Sequence, residues 1–307
     1  MKKPNLFLIG AAKCGTTSLY HYLKQHPDLF FPEHKEPHYF SKDLEWRYQG
    51  TVYRSLEEYL TIFEPAQNEK WVGEASVWHL YSKVAAQGIC DFNPHAKILC
   101  LLRNPVDMMH SMYRFGVRRG HENAVSFRKA IELEPQRTDW SRVPRTLFLL
   151  SAVWYNQIAN FGEQIERYTK LFPRENIKFL LTEDLSRAPE KVVNDVLDFL
   201  GITPSDAIDY TPQNVTAENQ LSRLEYMSRF SPRAAHQIGK FIPSSVKSII
   251  RSSLGNSRRP EPVDAKLMPD DLRKELLERH RESIEKTAQL IDRDLSHWLE
   301  PILADPG

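Results

Sequence analysis

The sequence predicts an α/β fold, with a doubly wound, mainly parallel sheet flanked by helices. Short apolar runs recur along the chain, helical patterns lie between them, and the first run leads into a loop with two glycines. Apolar runs are typical of parallel strands buried on both faces, and their alternation with helices indicates βαβ connections. Because the 307 residues are 41% hydrophobic and show no internal repeat or long linker, we predict a single domain over residues 1–307.

Charge and cysteine content exclude several classes of protein. The chain has 41 basic and 40 acidic residues and a net charge of +1, so no nucleic-acid partner is expected. The three cysteines have neither the number nor the spacing of a disulfide framework or a zinc site. The apolar run near the N-terminus is too short for a signal sequence or a membrane span. We therefore expect a cytoplasmic protein, monomeric or homodimeric, without stable membrane insertion.

The first apolar run, residues 6–9, enters a loop that is bounded by Gly10 and Gly15 and opens a helix. This glycine spacing is that of a P-loop, whose backbone N–H groups bind phosphate at a helix N-terminus. A nucleotide triphosphatase would carry lysine and then serine or threonine after the second glycine. Here the lysine lies inside the loop, as Lys13, and Thr16 follows Gly15. The pattern predicts a P-loop-like anion site without the metal-anchoring pair; a purely structural turn is the alternative.

The next elements are a helix that ends before Pro27, an irregular segment and a short strand. Residues 30–40 mix aromatic side chains, prolines and charges without a helical period, which is typical of a partly buried loop that carries function. Residues 69–76 predict a strand that ends at Gly73 and places Glu74 at its tip.

A clearer buried strand covers residues 97–102, and Arg103 follows it directly. Asn104 suits the N-cap of the next helix, Pro105 its first position, and Asp107 the positive end of the helix dipole. Arg103 is therefore expected at the carboxyl edge of the sheet, where open α/β sheets bind their ligands.

The second half of the chain continues the alternation. Apolar spacing predicts one long amphipathic helix over residues 150–172, a strand over 177–182, and a helix over 189–200 that stops at Gly201. A final helix within residues 267–299 is expected to pack over the sheet. Its apolar stripe consists of Ile284, Ala288, Ile291, Leu295 and Trp298.

Residues 226–260 contain no acidic side chain. We predict that residues 226–262 form a mobile basic cover over an anionic ligand, and a solvated basic face is the alternative. The basic residues of this stretch are Arg229, Arg233, Lys240, Lys247, Arg251, Arg258 and Arg259.

Three segments carry a family resemblance. Residues 10–19 read Gly-Ala-Ala-Lys-Cys-Gly-Thr-Thr-Ser-Leu, residues 102–106 read Leu-Arg-Asn-Pro-Val with Ser111 after them, and residues 35–40 read Lys-Glu-Pro-His-Tyr-Phe. In these segments the chain resembles the sulfotransferases that use PAPS, 3′-phosphoadenosine 5′-phosphosulfate. The resemblance is greatest to the branch with heparan sulfate N- and 3-O-sulfotransferases and many bacterial relatives. Residues 74–79 depart from the family's Glu-x-Ser-Pro-x-Tyr, so the acceptor side is matched less well than the donor side.

The resemblance implies a transferase that moves the sulfuryl group of PAPS to a hydroxyl or amine and releases adenosine 3′,5′-bisphosphate. Lys13 would hold the 5′-phosphosulfate of PAPS. It would also stabilise charge on the leaving phosphate oxygen. Arg103 and Ser111 would hold the 3′-phosphate, and no metal is expected. The residues implied in binding PAPS are Lys13, Cys14, Gly15, Thr16, Thr17, Ser18, Arg103, Ser111, Arg258 and Arg259.

Glu74 is the predicted general base, which takes the acceptor proton as the acceptor attacks sulfur. The alternative for Glu74 is a structural ion pair with Lys35 or Lys13. The rival bases are His38, His79 and His110, and the expected acceptor-binding residues are Lys35, His38 and His79.

Two other functions remain open at this point. A P-loop nucleotide kinase or triphosphatase is disfavoured because lysine is absent at position 16 and the strand over residues 97–102 does not end in a metal-binding aspartate. A non-catalytic nucleotide-binding scaffold would keep the phosphate loop without turnover. The acceptor is left open among polysaccharides, lipids, peptides and small metabolites.

Overall fold

The computed structural model describes residues 2–47, 53–205, 207–211 and 267–300. Its centre is a parallel sheet of five strands in the order β2-β3-β1-β4-β5. The strands are β1 (Leu6–Gly10), β2 (Leu29–Phe30), β3 (Trp71–Ala75), β4 (Lys97–Leu102) and β5 (Ile177–Leu181). The predicted α/β fold with a mainly parallel sheet is confirmed.

Helices flank the sheet and connect its strands. They are α1 (Thr16–Leu23), α2 (Leu56–Thr61), α3 (Ala85–Phe92), α4 (Pro105–Arg119), α5 (Phe127–Leu133), α6 (Tyr155–Ile158), α7 (Phe161–Thr169), α8 (Thr182–Arg187), α9 (Pro189–Leu200) and α10 (Asp270–Ile291).

The two central strands carry the core. All five residues of β1 are buried, and so is every residue of β4 after Lys97. Burial of each large aliphatic side chain stabilises the fold by about 1.5–3 kcal/mol, which is why these runs are apolar on both faces. Since all strands are parallel, β1, β3 and β4 end at the same edge of the sheet, and the residues that follow them meet there.

Two predicted element boundaries are confirmed closely. Asn104 caps α4, since its Oδ1 accepts hydrogen bonds from Val106 N at 3.0 Å and Asp107 N at 3.4 Å. Helix α9 spans the predicted residues and ends at Gly201, whose φ of 62° suits glycine. Both boundaries depend on local chemistry that is readable in the sequence.

The prediction of one long helix over residues 150–172 is wrong. A short 3₁₀ turn at Leu150–Val153 is followed by two separate helices, α6 and α7. The breaks fall at Trp154, with φ −101° and ψ 70°, and at Asn160, with φ −81° and ψ 66°. The apolar spacing persists across both breaks because the same side of the segment faces the core.

Tertiary hydrogen bonds explain these breaks. The carboxylate of Glu134 accepts from the backbone N of Asn156 at 2.9 Å, which satisfies a donor at the start of α6. At the other end of α6, Gln164 Nε2 donates to the carbonyl of Gln157 at 3.2 Å. Side chains from outside α6 thus close both of its ends.

Two smaller corrections concern β3 and the C-terminal helix. Strand β3 continues to Ala75, so Glu74 lies within the strand rather than at its tip. Helix α10 ends at Ile291 because Asp292 adopts a left-handed conformation with φ 54°, and Leu295 and Trp298 lie beyond the helix. Helix α10 packs against α7 and α4.

Candidate active site

The loop between β1 and α1 passes close to the segment that follows β3. A Cβ atom at Gly10 would lie 2.8 Å from Leu80 Cβ and 3.0 Å from the carbonyl oxygen of Val77, so only glycine fits there. The next residue, Ala11, donates its N–H to the carbonyl of Leu101 at 2.7 Å. The loop is therefore held between the segment that follows β3 and strand β4.

Helix α1 presents the open N-terminus that the sequence predicts. Its N-cap, Gly15, is exposed, has a φ of 87° and makes no side-chain cap hydrogen bond to the first N–H groups of the helix. Thr16 is buried, while Thr17 and Ser18 are half-buried. Cys14 is buried, and burial raises the pKa of its thiol to about 12, so only its backbone can serve an anion.

Lys13 lies at the mouth of this loop. Its Nζ sits 4.4 Å from the centroid of the Phe115 ring, and it forms no ion pair with a described residue. The pKa of Lys13 is lowered to about 8, chiefly by burial and then by the positive charges of Arg118 and Arg103. A cation that is crowded by other cations without a carboxylate partner is poised for an anionic ligand.

Arg103 and Ser111 stand on the adjacent strand and helix. Arg103 follows β4, and its guanidinium is close enough to influence the pKa values of Lys13 and Cys14. Both Arg103 and Ser111 are half-buried and make no side-chain hydrogen bond with a described residue. Asn104 fixes this junction, since its Nδ2 donates to the carbonyl of Trp298 at 2.8 Å.

Arg118 and Arg119 are cations of the site that the sequence analysis did not identify. Both act on Lys13, and the Arg119 guanidinium lies 5.7 Å from the centroid of the same Phe115 ring. Both residues are in the last turn of α4. The only signal in the sequence was a basic pair before Gly120, which is also typical of an ordinary helix C-terminus.

Glu74 is completely buried, and its partner is His79. Glu74 Oε2 lies 2.8 Å from His79 Nε2, and the other ring nitrogen of His79 lies 2.6 Å from Ser41 Oγ. The predicted alternative, an ion pair of Glu74 with Lys35 or Lys13, is not formed. Because Glu74, His79 and Ser41 are each at most 1% exposed, none of them reaches an acceptor directly in this conformation.

Glu36 is the accessible carboxylate that the sequence analysis passed over. Its side chain is 28% exposed and is paired with Lys35, and its Oε2 lies 3.6 Å from His38 Nε2. Glu36 Oε2 also accepts from Val77 N at 2.9 Å. The backbone of Glu36 has a φ of 67°, an uncommon conformation for a residue other than glycine. Its place in the Lys-Glu-Pro-His segment was the signal available in the sequence.

The structure brings most of the predicted residues to one edge of the sheet. The loop, Arg103 and the segment around Glu36 meet where β1, β4 and β3 end, whereas His110 lies on α4 against Tyr113 and Phe127. The predicted cover at 226–262, with Arg258 and Arg259, lies outside the described residues. A separate cavity of about 580 Å³ beside β5 contains none of the predicted site residues.

Neither a metal-ligand cluster nor a membrane-spanning helix is present within the described ranges. In that part of the chain, no group of three or more His, Cys, Asp or Glu side chains is arranged to hold a metal ion. None of the helices described there is both long and apolar enough to cross a membrane.

Comparison with known proteins identifies the family. The family model described as "Sulfotransferase domain" matches residues 3–290, which is most of the chain. The chain belongs to this sulfotransferase family. A sulfotransferase from Alicyclobacillus acidocaldarius has a similar structure, with a TM-score of 0.72 and 31% identity over 98% of this chain and 100% of that one. The family and fold expected from the loop, the Arg103 motif and residues 35–40 are thus confirmed.

Two curated relatives show the range of the family. The membrane-associated sulfotransferase kil1 of Dictyostelium discoideum is 25% identical over 294 residues, which cover 72% of this chain and 60% of that protein. The bifunctional heparan sulfate N-deacetylase/N-sulfotransferase 1 of Mus musculus is 29% identical over 215 residues, covering 67% of this chain and 23% of that protein. The chain therefore spans less than two thirds of these sulfotransferases.

Proposed function

We propose that this sulfotransferase moves the sulfuryl group of PAPS to a hydroxyl or amine of an acceptor and releases adenosine 3′,5′-bisphosphate. One observation carries the proposal: Lys13 is near enough to Arg103 for that charge to lower its pKa, neither cation has a carboxylate partner among the described residues, and Lys13 lies in the loop that opens α1. Such unpaired cations cost stability unless an anion joins them, and a helix N-terminus favours phosphate groups.

Each part of the donor has a matching group. Backbone N–H groups from Gly15 to Thr17 would receive the 5′-phosphosulfate, together with Lys13. The guanidinium of Arg103 suits bidentate pairing with the 3′-phosphate, to which Ser111 would donate a hydrogen bond. As the bond between sulfur and the phosphate oxygen breaks, Lys13 would stabilise the negative charge that develops on that oxygen.

The residue types at the strand ends favour a reaction without a metal ion. Kinases and triphosphatases use magnesium to offset the charge of adjacent phosphoryl groups, and they hold it with serine or threonine and aspartate. Here β4 ends in Arg103, and Thr16 replaces the P-loop lysine. Protein cations would offset the charge of the donor in place of a metal ion. A nucleotide kinase or triphosphatase is correspondingly disfavoured.

The base is a carboxylate beside the loop, and the geometry favours Glu36 over Glu74. Glu36 is part-exposed and is linked through Val77 to the backbone that touches Gly10. In the reaction, the acceptor oxygen or nitrogen attacks sulfur opposite the leaving phosphate oxygen, and Glu36 takes the acceptor proton. Glu74, with His79 and Ser41, would support the backbone that carries this site. The role of Glu74 as base stays a prediction. The kinetics of Glu36→Gln and Glu74→Gln can decide between the two carboxylates.

Localisation and assembly complete the proposal. The cysteines of the described residues are free, and two of them, Cys14 and Cys100, are buried, which is consistent with a cytoplasmic protein. We propose a monomer or homodimer with no nucleic-acid partner.

A binding titration tests the donor site. Adenosine 3′,5′-bisphosphate should bind at least about a hundredfold more tightly than adenosine 5′-monophosphate, because a hydrogen bond to a charged group contributes about 1.5–3 kcal/mol. Arg103→Ala should remove most of this preference, and Arg187→Ala, an exposed arginine paired with Asp184, should leave it unchanged. Isothermal titration calorimetry measures both constants.

Turnover separates the three functions. Sulfuryl transfer from labelled PAPS should persist in the presence of EDTA. Binding of the bisphosphate without turnover on any class of acceptor would favour the non-catalytic scaffold. Magnesium-dependent binding of ATP without a 3′-phosphate preference would refute the sulfotransferase function for this site.

A further inference from the structure

The hydroxyl group of Thr182 joins two parts of the proposed donor site. Thr182 begins α8 directly after β5, whose last residue pairs in register with Leu102 at the end of β4. Thr182 Oγ1 lies 2.7 Å from the carbonyl oxygen of Cys14 and 2.9 Å from that of Leu102. A hydroxyl has one proton to donate, so the two carbonyl groups share it and are held against the same atom.

These two carbonyl groups stand next to the two cations of the donor site. Cys14 follows Lys13 in the loop that opens α1, and Leu102 precedes Arg103 at the end of β4. Each cation is therefore one residue away from a carbonyl group that the Thr182 hydroxyl binds. Since Lys13 is proposed to receive the 5′-phosphosulfate and Arg103 the 3′-phosphate, Thr182 links the two phosphate subsites.

Each subsite also has a support of its own. In the loop, Ala11 N donates to the carbonyl of Leu101 at 2.7 Å. At the strand end, Asn104 Nδ2 donates to the carbonyl of Trp298 at 2.8 Å. Because neither contact involves Thr182, loss of its hydroxyl should leave each subsite folded and remove the link between them.

Thr182 is itself held on two sides. The next residue, Glu183, accepts a hydrogen bond from Trp298 Nε1 at 2.7 Å, which ties the first turn of α8 to the C-terminal segment. The Thr182 methyl group faces Gly15, since a Cβ atom on Gly15 would lie 3.9 Å from Thr182 Cγ2. A β-branched side chain has few χ1 rotamers, so a fixed backbone and a packed methyl group also fix the hydroxyl.

We propose that Thr182 is a positioning residue that sets the separation between the two phosphate subsites of the donor. This deepens the proposed function and rests on it. A nucleotide with one phosphate settles in the subsite that it fits, whereas a nucleotide with two phosphates needs both subsites at a fixed separation. A site that already has this separation binds both phosphates without a further ordering cost. Thr182 acts through the loop and the strand end rather than on the reacting atoms.

Calorimetric titrations with three nucleotides test this assignment. Thr182→Val removes the hydroxyl but keeps the methyl group that faces Gly15, and it should weaken binding of adenosine 3′,5′-bisphosphate about tenfold or more. Binding of adenosine 3′-monophosphate and of adenosine 5′-monophosphate should each weaken less than about threefold, because either one needs a single phosphate subsite. Thr182→Ser keeps the hydroxyl and should restore most of the affinity for the bisphosphate.

Thr169→Val is the matched control. Thr169 is a half-buried threonine of α7, and its Oγ1 donates to the carbonyl of Glu166 at 3.2 Å. This variant loses a comparable hydrogen bond away from the donor site. Its affinities for all three nucleotides should equal those of the native chain.

Hydrogen exchange in the ligand-free chain gives a measurement that does not depend on binding. The backbone amides of residues 11–19 should exchange faster in Thr182→Val than in the native chain, because the loop loses one of its bonds. The same amides should exchange at the native rate in Thr182→Ser and in Thr169→Val.

The outcomes separate a positioning role from a structural one. Equal losses of affinity for all three nucleotides in Thr182→Val would show that Thr182 only supports the fold, and they would overturn the proposal. A large loss for one monophosphate alone would also overturn it, because Thr182 would then belong to one subsite. Native affinity for the bisphosphate, or native exchange of residues 11–19, would overturn it as well. Failure of the native chain to bind the bisphosphate would instead refute the proposed function.

Discussion

At the scale of single residues, the surroundings of Lys13 alter the charge state of its side chain. Its ammonium is half-buried over Phe115 and faces the positive charges of Arg118 and Arg103. These effects favour the neutral amine and bring the pKa of Lys13 from 10.5 to about 8. A bound phosphosulfate would reverse this effect, because an adjacent anion favours the charged form.

The affinity for the bisphosphate should therefore depend on pH. Below about pH 7 Lys13 is protonated and adds no pH dependence, and above about pH 8 the affinity should fall as the free protein loses this charge, by up to tenfold per pH unit. In Lys13→Arg the loss should move to a higher pH, because the guanidinium stays protonated. Calorimetric titrations from pH 6 to about pH 9.5 measure both profiles. A flat native profile would contradict the lowered pKa.

The proposed base gives a second prediction at this scale. Glu36→Gln should lower kcat by about 10² to 10⁴, the usual contribution of a positioned base, without changing the Kd for the bisphosphate. Glu74→Gln should change kcat less than about tenfold, because Glu74 is buried against His79. Steady-state kinetics with labelled PAPS measure both. The reverse order of effects would return the role of base to Glu74, as predicted from the sequence.

At the scale of elements, the junction of β4 and α4 joins stability to function. Asn104 caps α4 and also donates to the carbonyl of Trp298, so one side chain ties the strand end that carries Arg103 to the C-terminal segment. Asp107, in the first turn of the same helix, pairs with Arg273 of α10 at 2.6 Å. Helix α10 therefore holds the helix that follows the proposed 3′-phosphate site.

Asn104→Ala should reduce both stability and donor affinity. Loss of an N-cap costs about 0.5–2 kcal/mol, and the freed strand end should weaken binding of the bisphosphate by about tenfold. Ser126→Ala is the control, since Ser126 caps α5 by accepting from Lys129 N at 3.0 Å. It should reduce stability similarly with no change in affinity. Urea unfolding measures the stability of both variants, and calorimetry measures their affinity for the bisphosphate. Equal losses of affinity in Asn104→Ala and Ser126→Ala would contradict a specific role of the Asn104 cap in donor binding.

At the scale of the whole molecule, one buried ion pair organises the segment between α4 and α7. Arg137 is 2% exposed, and it donates to both carboxylate oxygens of Glu122 at 2.7 and 2.5 Å. Tyr155 Oη donates to Glu122 at 2.7 Å. The backbone N atoms of Asn123 and Ala124 also donate to this carboxylate. A fully bonded pair of this kind fixes a segment that contains few regular elements and carries Phe148.

Glu122→Gln should destabilise the chain by about 3–5 kcal/mol, because it leaves the Arg137 charge buried and unpaired. The double variant Glu122→Gln with Arg137→Met should recover part of the loss. Glu132→Gln, which breaks the exposed pair with Lys129, should cost less than about 1 kcal/mol. Denaturant unfolding measures all three, and a small loss for Glu122→Gln would show that the pair does not hold this segment.

The sequence alone determined the features that depend on neighbouring residues. The two loop glycines, the Asn104–Pro105 cap and the stop at Gly201 require particular backbone angles or capping atoms, which only a few residue types supply. The apolar strands were readable because burial on both faces excludes polar side chains. These features also predicted the parallel sheet and the edge of it at which Lys13 and Arg103 lie.

Only the tertiary structure decided what depends on residues distant in the sequence. The breaks at Trp154 and Asn160 arise from side chains outside α6. Glu36 replaces Glu74 as the candidate base because the fold buries the Glu74 carboxylate. The pairing of residues 45–47 with 147–150 places Trp46 beside Phe148. Apolar periodicity reports that a side is buried, but it does not report its partner, because burial is non-directional while hydrogen bonds and ring contacts need a specific neighbour.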